Sequence, residues 1–452
     1  MSLPPKSENV KADGRTTLEL GGVLPKTAEV RDGHLFIGGV DMVKLARVMG
    51  TALYVVDEDH FRSQLEEYLT QVRANWQDSD VVYAGKALAT VGTDKIVAEE
   101  GCCLDVSSGG ELALAQAAGF PMERIVEHGN NKTVPELEEA LDAGVGLIVV
   151  DTHEELERIS RLAVAREMSQ KVLVRVTPGV VADTHAYIQT GAEDSKFGFS
   201  IHNGQAMEAL KLALSLPGVE LAGLHMHIGS QIFDLSGFAA ANVVAADFMA
   251  QVKEETGYEA GILDLGGGLG ISYQVADKPS TIAEYAQVAI GGMRDLCQER
   301  GLKVPHLMVE PGRSVVANAG VTLYTVGSVK KIPGVRTWVA IDGGMTDNIR
   351  TALYGASYEA VVANKADQPR TEVATICGKH CESGDVIIYD ASLQPVEPGD
   401  TICVFTTGAY NHTMASNYNA QVRPAMVLVR DGKPRTIIRR ETYQDLLARE
   451  IY

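Results

Sequence analysis

Two stretches carry chemistry at the ends of apolar runs. In Tyr83-Ala84-Gly85-Lys86-Ala87 an amine follows the β-branched pair Val81-Val82, so Lys86 stands where a buried strand gives way to a loop. In Glu310-Pro311-Gly312-Arg313 a carboxylate and a guanidinium follow the run that begins near Leu307. A lone strand-end lysine is ordinarily a solvated charge, so Lys86 gains meaning only from its company. That company is His128, the strand-end group Asp105, Ser107 and Ser108, the stretch Leu224-His225-Met226-His227-Ile228-Gly229-Ser230, and Gly266-Gly267-Gly268 directly after Ile262-Leu263-Asp264-Leu265.

Glycines at a strand end let backbone N–H groups approach a phosphate, although a structural turn reads the same way. Arg313 adds a charge suited to phosphate. An amine, a phosphate cradle, a flat imidazole and a carboxylate together are what pyridoxal phosphate needs. Lys86 is the Schiff-base lysine, His227 stacks on the ring, the glycines take the phosphate, and Glu310 holds the proton of the ring nitrogen. His225 and His227, two apart on one strand face, would also look like a zinc pair. No third ligand of suitable spacing stands out, and no metal is expected.

These residues can cooperate only if the fold brings them to one rim. Apolar strand candidates begin near Val81, Leu104, Ile125, Leu147, Val172, Leu221, Ile262 and Leu307. Helical patterns lie between most of them: Glu111–Ala118, Val134–Ala143, Glu154–Ala165, Gly204–Leu214, Ser236–Glu255 and Ile282–Arg300. Strands alternating with helices imply parallel pairing, because a parallel connection needs a long crossover. The rhythm fits an α/β fold with a (β/α)8 TIM-like barrel, whose active sites lie at the C-terminal ends of the strands. An open doubly wound sheet is the alternative. The connection from Pro178 to Phe199, with Asp183, Thr184, His185, Thr190, Gly191, Asp194, Ser195 and Lys196, leaves a strand on that same face.

After about Gly320 short β-like runs follow one another at 321–329, 337–342, 372–377, 385–390, 400–405, 425–430 and 435–440. They predict a mostly antiparallel β domain. The expected organisation is 1–56 as an N-terminal tail and strands that join the β domain, 57–318 as the barrel, and 319–452 as the C-terminal antiparallel β domain.

A chain of 452 residues and net charge −19 argues against a nucleic-acid or anionic-membrane surface. No run of eighteen apolar residues occurs, and the first thirty residues lack an apolar signal core. The six cysteines form no CxxC pair, which suits a reducing compartment, and a cytoplasmic location is expected.

The motifs and their order are specific enough to name a likeness. The chain resembles the alanine-racemase-like pyridoxal-phosphate enzymes, in particular diaminopimelate decarboxylases, from about Gly33 to Tyr452. The resemblance rests on Tyr83–Ala87, on His225-Met226-His227-Ile228-Gly229-Ser230-Gln231, on Gly266–Gly268 and on Glu310–Arg313. It continues through Asp194-Ser195-Lys196-Phe197-Gly198, Cys381-Glu382-Ser383-Gly384-Asp385 and Gly408-Ala409-Tyr410.

The resemblance implies that Lys86 carries the cofactor and is catalytic together with Cys381, a cysteine that family members donate across a dimer interface. It implies cofactor contacts from His227, Ser230, Gly266, Gly267, Gly268, Glu310, Gly312, Arg313 and Tyr410. It implies substrate contacts from Arg313, Arg350, Tyr354, Glu382 and Tyr410, and a homodimer with active sites at its interface. The sequence departs from the commonest pattern at Gly378-Lys379-His380, where a proline is frequent, and at Asn411-His412.

The implied reaction removes CO2 from meso-2,6-diaminopimelate to leave L-lysine. A substrate with a second amino-acid head suits two arginines and one glutamate, Arg313, Arg350 and Glu382. An arginine or ornithine decarboxylase of the same fold is the runner-up. A racemase, or a pyridoxal-phosphate carrier without catalysis, stands further off.

Overall fold

The computed structural model describes residues 11–180 and 195–451. Asp183, Thr184, His185, Thr190, Gly191 and Asp194 of the long connection lie outside the described residues. The chain forms two compact units. One is Gln64–Ile271 with Pro279–Ser314; the other is Met1–Ser63 with Ser272–Lys278 and Val315–Tyr452.

The first unit is the expected barrel, and it closes. Its strands are β1 (Ser79–Ala84), β2 (Cys103–Val106), β3 (Ile125–Glu127), β4 (Leu147–Val150), β5 (Gln170–Thr177), β6 (Val219–His225), β7 (Ile262–Asp264) and β8 (His306–Val309). Each pairs in parallel with the next, and β8 pairs with β1 (Leu307 opposite Ser79, Val309 opposite Val81), which excludes the open sheet. The strands read as apolar runs because helices cover the outside while side chains fill the inside. Val82, Val126, Leu147, Val149, Leu173 and Met308 pack into one buried cluster.

Several crossover helices begin at hydroxyl caps that the sequence spells out. Thr133 accepts from Glu136 N–H while Glu136 reaches back to Thr133 N–H, and Thr281 and Glu284 repeat the arrangement. The segment Ile282–Arg300, expected as one helix, is two: Ile282–Ala286 and Gly292–Glu299 flank a π-helical turn, Gln287–Gly291. Asn242 Nδ2 donates to the carbonyls of Val288 and Ala289 at 3.1 and 2.9 Å. That draws those carbonyls out of the regular ladder.

The second unit holds a mixed sheet. The strand Gly320–Ile332 pairs antiparallel with Arg336–Ile341, with Thr401–Val404 and with the early strand Leu53–Asp57. Two pairs are parallel: Arg336–Ile341 with Glu372–Cys377, and Leu53–Asp57 with Ala425–Arg430. The short strand Ala360–Val362, absent from the sequence reading, pairs with Thr401–Val404. Glu29–Arg31, His34–Ile37 and Val40–Asp41 make a separate three-stranded sheet.

Candidate active site

The strand ends of the barrel converge on one cavity of about 260 Å³. Lys86, Ser107, His128, Arg175, Phe197, His225, His227 and Glu310 are among the residues that line it. Lys86 sits just past β1 on a short 3-10 turn, Gly85–Ala87, and its side chain is exposed. The turn fits because residue 85 is glycine: a Cβ there would meet the Asp105 carbonyl oxygen at 2.6 Å.

Glu310 follows β8, and its backbone N–H donates to the Gly266 carbonyl at 2.8 Å. Its carboxylate meets two imidazoles. His128 Nε2 lies 2.6 Å from Oε1, and His225 Nε2 lies 3.0 Å from Oε2. The two rings stand edge to face, 4.9 Å apart. Burial would raise the Glu310 carboxyl, but the charge and hydrogen bonds of His128 and His225 prevail and hold it well below the usual carboxylate range. Burial disfavours the His128 cation, yet Glu310 and then Asp105 outweigh it and raise that imidazole. Burial pushes His225 down to about 4, so its ring is neutral. Asp264, fully buried at the end of β7, is pushed well up by burial and then by Glu310. Asp105 is raised by burial, with Glu310 adding and His128 opposing.

His227 lies at the cavity wall, two residues past the end of β6. Its Nδ1 accepts the Gly267 N–H at 3.2 Å, so the ring is held as the tautomer with its proton on Nε2. Burial, and then Lys86, push its pKa well down. The glycine triplet therefore does more than the sequence reading gave it. The Gly266 N–H donates to Asp264 Oδ1 at 2.8 Å, and the Gly267 N–H to His227, so two of the three amides already have partners within the barrel.

The Arg313 guanidinium, buried near the start of the four-residue helix Arg313–Val316, donates to Ser230 Oγ from Nε and Nη2 at 3.3 and 3.1 Å. Residue 312 is closely wrapped, since a Cβ on Gly312 would lie 2.9 Å from the Ala84 Cβ. The barrel thus brings together Lys86, His227 and Glu310 around the cavity, and Ser230 with Arg313 beside the glycine loops.

The remaining expected residues belong to the other unit. Arg350 Nη1 donates to the Tyr273 and Tyr358 hydroxyls at 2.8 and 3.0 Å. Its guanidinium carbon lies 5.1, 5.8 and 6.0 Å from the ring centres of Tyr273, Tyr354 and Tyr410. Arg350, Tyr354 and Tyr410 therefore form one aromatic cage around a buried cation. Tyr410 holds a left-handed backbone, φ +59°. Cys381 and Glu382 lie on a separate exposed loop, where the Cys381 N–H donates to Asn419 Oδ1 at 3.0 Å.

That loop is fastened from behind. Asp385 accepts from His380 Nδ1 at 2.7 Å, from the His380 N–H at 2.8 Å and from the Met345 N–H at 2.6 Å.

Sequence reasoning missed Arg175. It lies in β5 at the cavity wall, its guanidinium 4.4 Å from the Phe197 ring centre. A charge inside the apolar run Val172-Leu173-Val174-Arg175-Val176 was the available signal. The groups suited to a metal ion also differ from the pair considered. Among the described residues they are His128, His225 and Glu310, with ligand atoms within 4.8 Å of one another.

Comparison with known proteins agrees with this architecture. A family model described as pyridoxal-dependent decarboxylase, pyridoxal binding domain, matches residues 60–317. The diaminopimelate decarboxylase of Bacillus subtilis (strain 168) is 46% identical over 415 residues, covering 92% of this chain and 94% of that protein. The one from Mycobacterium tuberculosis (strain ATCC 25618 / H37Rv) is 45% identical over 428 residues, covering 93% and 95%. A crystal structure of diaminopimelate decarboxylase from M. jannaschii in co-complex with L-lysine is 38% identical and superposes with a TM-score of 0.89, covering 95% of this chain and 98% of that one.

Proposed function

The chain belongs to the diaminopimelate decarboxylase family of pyridoxal-dependent decarboxylases, and on that premise we propose that it decarboxylates meso-2,6-diaminopimelate to L-lysine and CO2. The observation that carries the reading is the barrel cavity in which Lys86, His227 and Glu310 meet. Their donor set fits the cofactor: an accessible amine, a flat neutral ring, and an ionised carboxylate buried where it can hold a proton on a ring nitrogen.

Bound there, pyridoxal phosphate supplies the electron sink for the bond broken at the substrate Cα. Lys86 would hold it through the amine. Glu310 would keep the ring nitrogen protonated, and His227 would flank the ring. Ser230, Gly268, Gly312 and Arg313 would take the phosphate, with Gly266 and Gly267 shaping the loop. The barrel residues fix which Cα bond is presented for cleavage, the orientation term that dominates such sites.

Arg350, Tyr354 and Tyr410, with Arg313 and Glu382, read the substrate. A guanidinium caged by rings and phenol hydroxyls suits the flat carboxylate of the distal head, and Glu382 suits its ammonium. Arginine and ornithine lack the distal carboxylate, which leaves Arg350 without a counter-charge. Cys381 serves as a catalytic thiol, and the proton that returns to Cα comes from Cys381, Lys86 or an ordered water. The protein works as a homodimer with Cys381 and Tyr410 donated across the subunit boundary.

The cytoplasm is its location. Supporting this, all six cysteines are free, and no described helix is long and apolar enough to cross a membrane.

The test offers meso-diaminopimelate, arginine and ornithine separately to the purified protein. CO2 released from the first alone supports the assignment. Release from arginine or ornithine instead overturns the substrate. Mixing Lys86→Ala with Cys381→Ala protomers should restore activity; no recovery refutes the shared site.

A further inference from the structure

The proposed function uses Glu310 but gives no task to the two imidazoles that grip it. His128 and His225 come from the ends of β3 and β6, and each takes one oxygen of the carboxylate that follows β8. Both are buried, His225 with 1% of its surface exposed and His128 with 6%. The contacts of 2.6 and 3.0 Å are direct ones. Ligands sharing a tetrahedral zinc at about 2.0–2.1 Å would stand roughly 3.3 Å apart.

We propose that His128 and His225 are positioning residues for Glu310, fixing its carboxylate as an oriented anion before the cofactor's ring nitrogen arrives. The inference rests on the reading of the cavity as a pyridoxal-phosphate site.

The floor of the cavity makes such a device necessary. Three carboxyls that act on one another stand at the ends of β2, β7 and β8: Asp105, Asp264 and Glu310, of which Glu310 lines the cavity. All three are buried, and burial favours the neutral acid in each. A neutral Glu310 could not hold a proton on a ring nitrogen; it would offer its own instead. The two imidazoles decide which carboxyl ionises. Both contact Glu310, and the charge there keeps Asp264 and Asp105 raised.

The two histidines differ in kind. His225 is neutral, donates from Nε2, and keeps a buried Nδ1 without a hydrogen-bond partner among the described residues. His128 is raised by Glu310 and Asp105 and supplies the counter-cation. A neutral donor is replaceable by an amide; a cation is not. His225→Gln should therefore restore most of what His225→Leu loses, whereas His128→Gln keeps a donor but loses the charge.

The test loads the full-length protein with pyridoxal phosphate labelled with 15N in the ring and reads the ring-nitrogen chemical shift, along with kcat and KM. In the unaltered protein the shift should be that of a protonated pyridine. In His128→Gln and His225→Leu it should move toward the unprotonated value. There kcat should fall about 10- to 100-fold, the worth of one charged or hydrogen-bonded contact to the carboxylate, with KM little changed. Unchanged shift and kcat in both variants overturn the proposal. So does a His225→Gln protein no better than His225→Leu.

A measurement without substitution covers variants that fail to fold. With 15N-labelled histidine in the cofactor-free full-length protein, His128 should carry protons on both ring nitrogens and His225 on Nε2 alone. Two neutral rings, or the reverse assignment, overturn the proposal. Failure of the unaltered protein to take up the cofactor refutes the pyridoxal-phosphate reading instead, and the histidine protonation states still judge the grip.

Discussion

Gly267→Ala should damage both the barrel and the chemistry, by an amount the geometry sets. A Cβ at 267 would lie 2.0 Å from the carbonyl oxygen of Glu310 and 2.8 Å from its carbonyl carbon. An ordinary contact begins at 3.4 Å, so the 310–311 peptide would have to retreat about 1.4 Å. That peptide is backbone at the end of β8 and cannot rotate aside as a side chain can. Overpacking of this kind costs about 1–3 kcal/mol. A displacement of about 1 Å in a catalytic group can cost roughly 10²-fold in rate. The moved residue is the one whose carboxylate His128 and His225 grip.

The assay is urea denaturation followed by circular dichroism, with kcat measured on the loaded enzyme. Gly110→Ala is the control. Residue 110 lies in the helix Gly109–Ala118, and its Cβ would meet nothing closer than Ser108 Oγ at 3.7 Å. It should be stabilising by about 0.4–1 kcal/mol, with kcat unchanged. A Gly267→Ala protein with unaltered stability and kcat within about twofold would refute the claim that the glycine is required by close backbone approach.

Three further outcomes follow from particular contacts. Lys132 is buried and donates to the carbonyls of Gly129 and Val149 and to Glu155 Oε1 at 2.8, 2.6 and 2.9 Å. Lys132→Met strands the buried Glu155 and should cost about 3–5 kcal/mol in urea denaturation, partly recovered by adding Glu155→Gln; a loss below about 1 kcal/mol contradicts this. Asp94 is raised from 3.8 to about 7, chiefly by burial and then by Glu111. Its folded form resists ionisation, so stability is greatest below the unfolded pKa and is lost as pH rises through the window from 3.8 to about 7. Asp94→Asn should therefore be more stable than the parent at pH 8 and equal to it near pH 4; an equal difference at both pH values would contradict the assignment. Arg350→Lys keeps the charge but loses the planar stacking on Tyr273, Tyr354 and Tyr410. KM for meso-diaminopimelate should rise about 10²-fold with kcat less affected; an unchanged KM removes Arg350 from substrate recognition.

The barrel was legible because its strands are covered on both faces. Each is an apolar run closed by a chemically distinct residue, as Val81-Val82 is by Lys86 and Leu307-Met308-Val309 is by Glu310. Closure was not legible, since the pairing of β8 with β1 joins residues more than two hundred positions apart. The second unit reads as β strands because short β-like runs follow one another between turns. Nothing in those runs says that Ala425–Arg430 runs parallel to Leu53–Asp57. The π turn at Gln287–Gly291 depends on Asn242, a partner that sequence spacing does not reveal.

Within the site, Lys86, His227 and Glu310 were found by their places at strand ends. The partnership of His225 with Glu310, 85 positions apart, was not. His225 was weighed only against its neighbour His227, as a metal pair. The glycine triplet was read for its amides, whereas its tight fit against Glu310 is a property of two loops together. Arg350 was assigned by likeness alone, and the tyrosines around it come from three separate stretches of the chain.

The central claim is that this protein breaks the bond to one carboxylate of meso-diaminopimelate and returns a proton to the same carbon. The most direct measurement is turnover in heavy water, with CO2, L-lysine and deuterium counted together. The account predicts equal amounts of CO2 and L-lysine, with one solvent deuterium at the carbon that lost its carboxylate, and no turnover by Lys86→Ala. Deuterium entering diaminopimelate without release of CO2 would mean a racemase, and the account would be wrong.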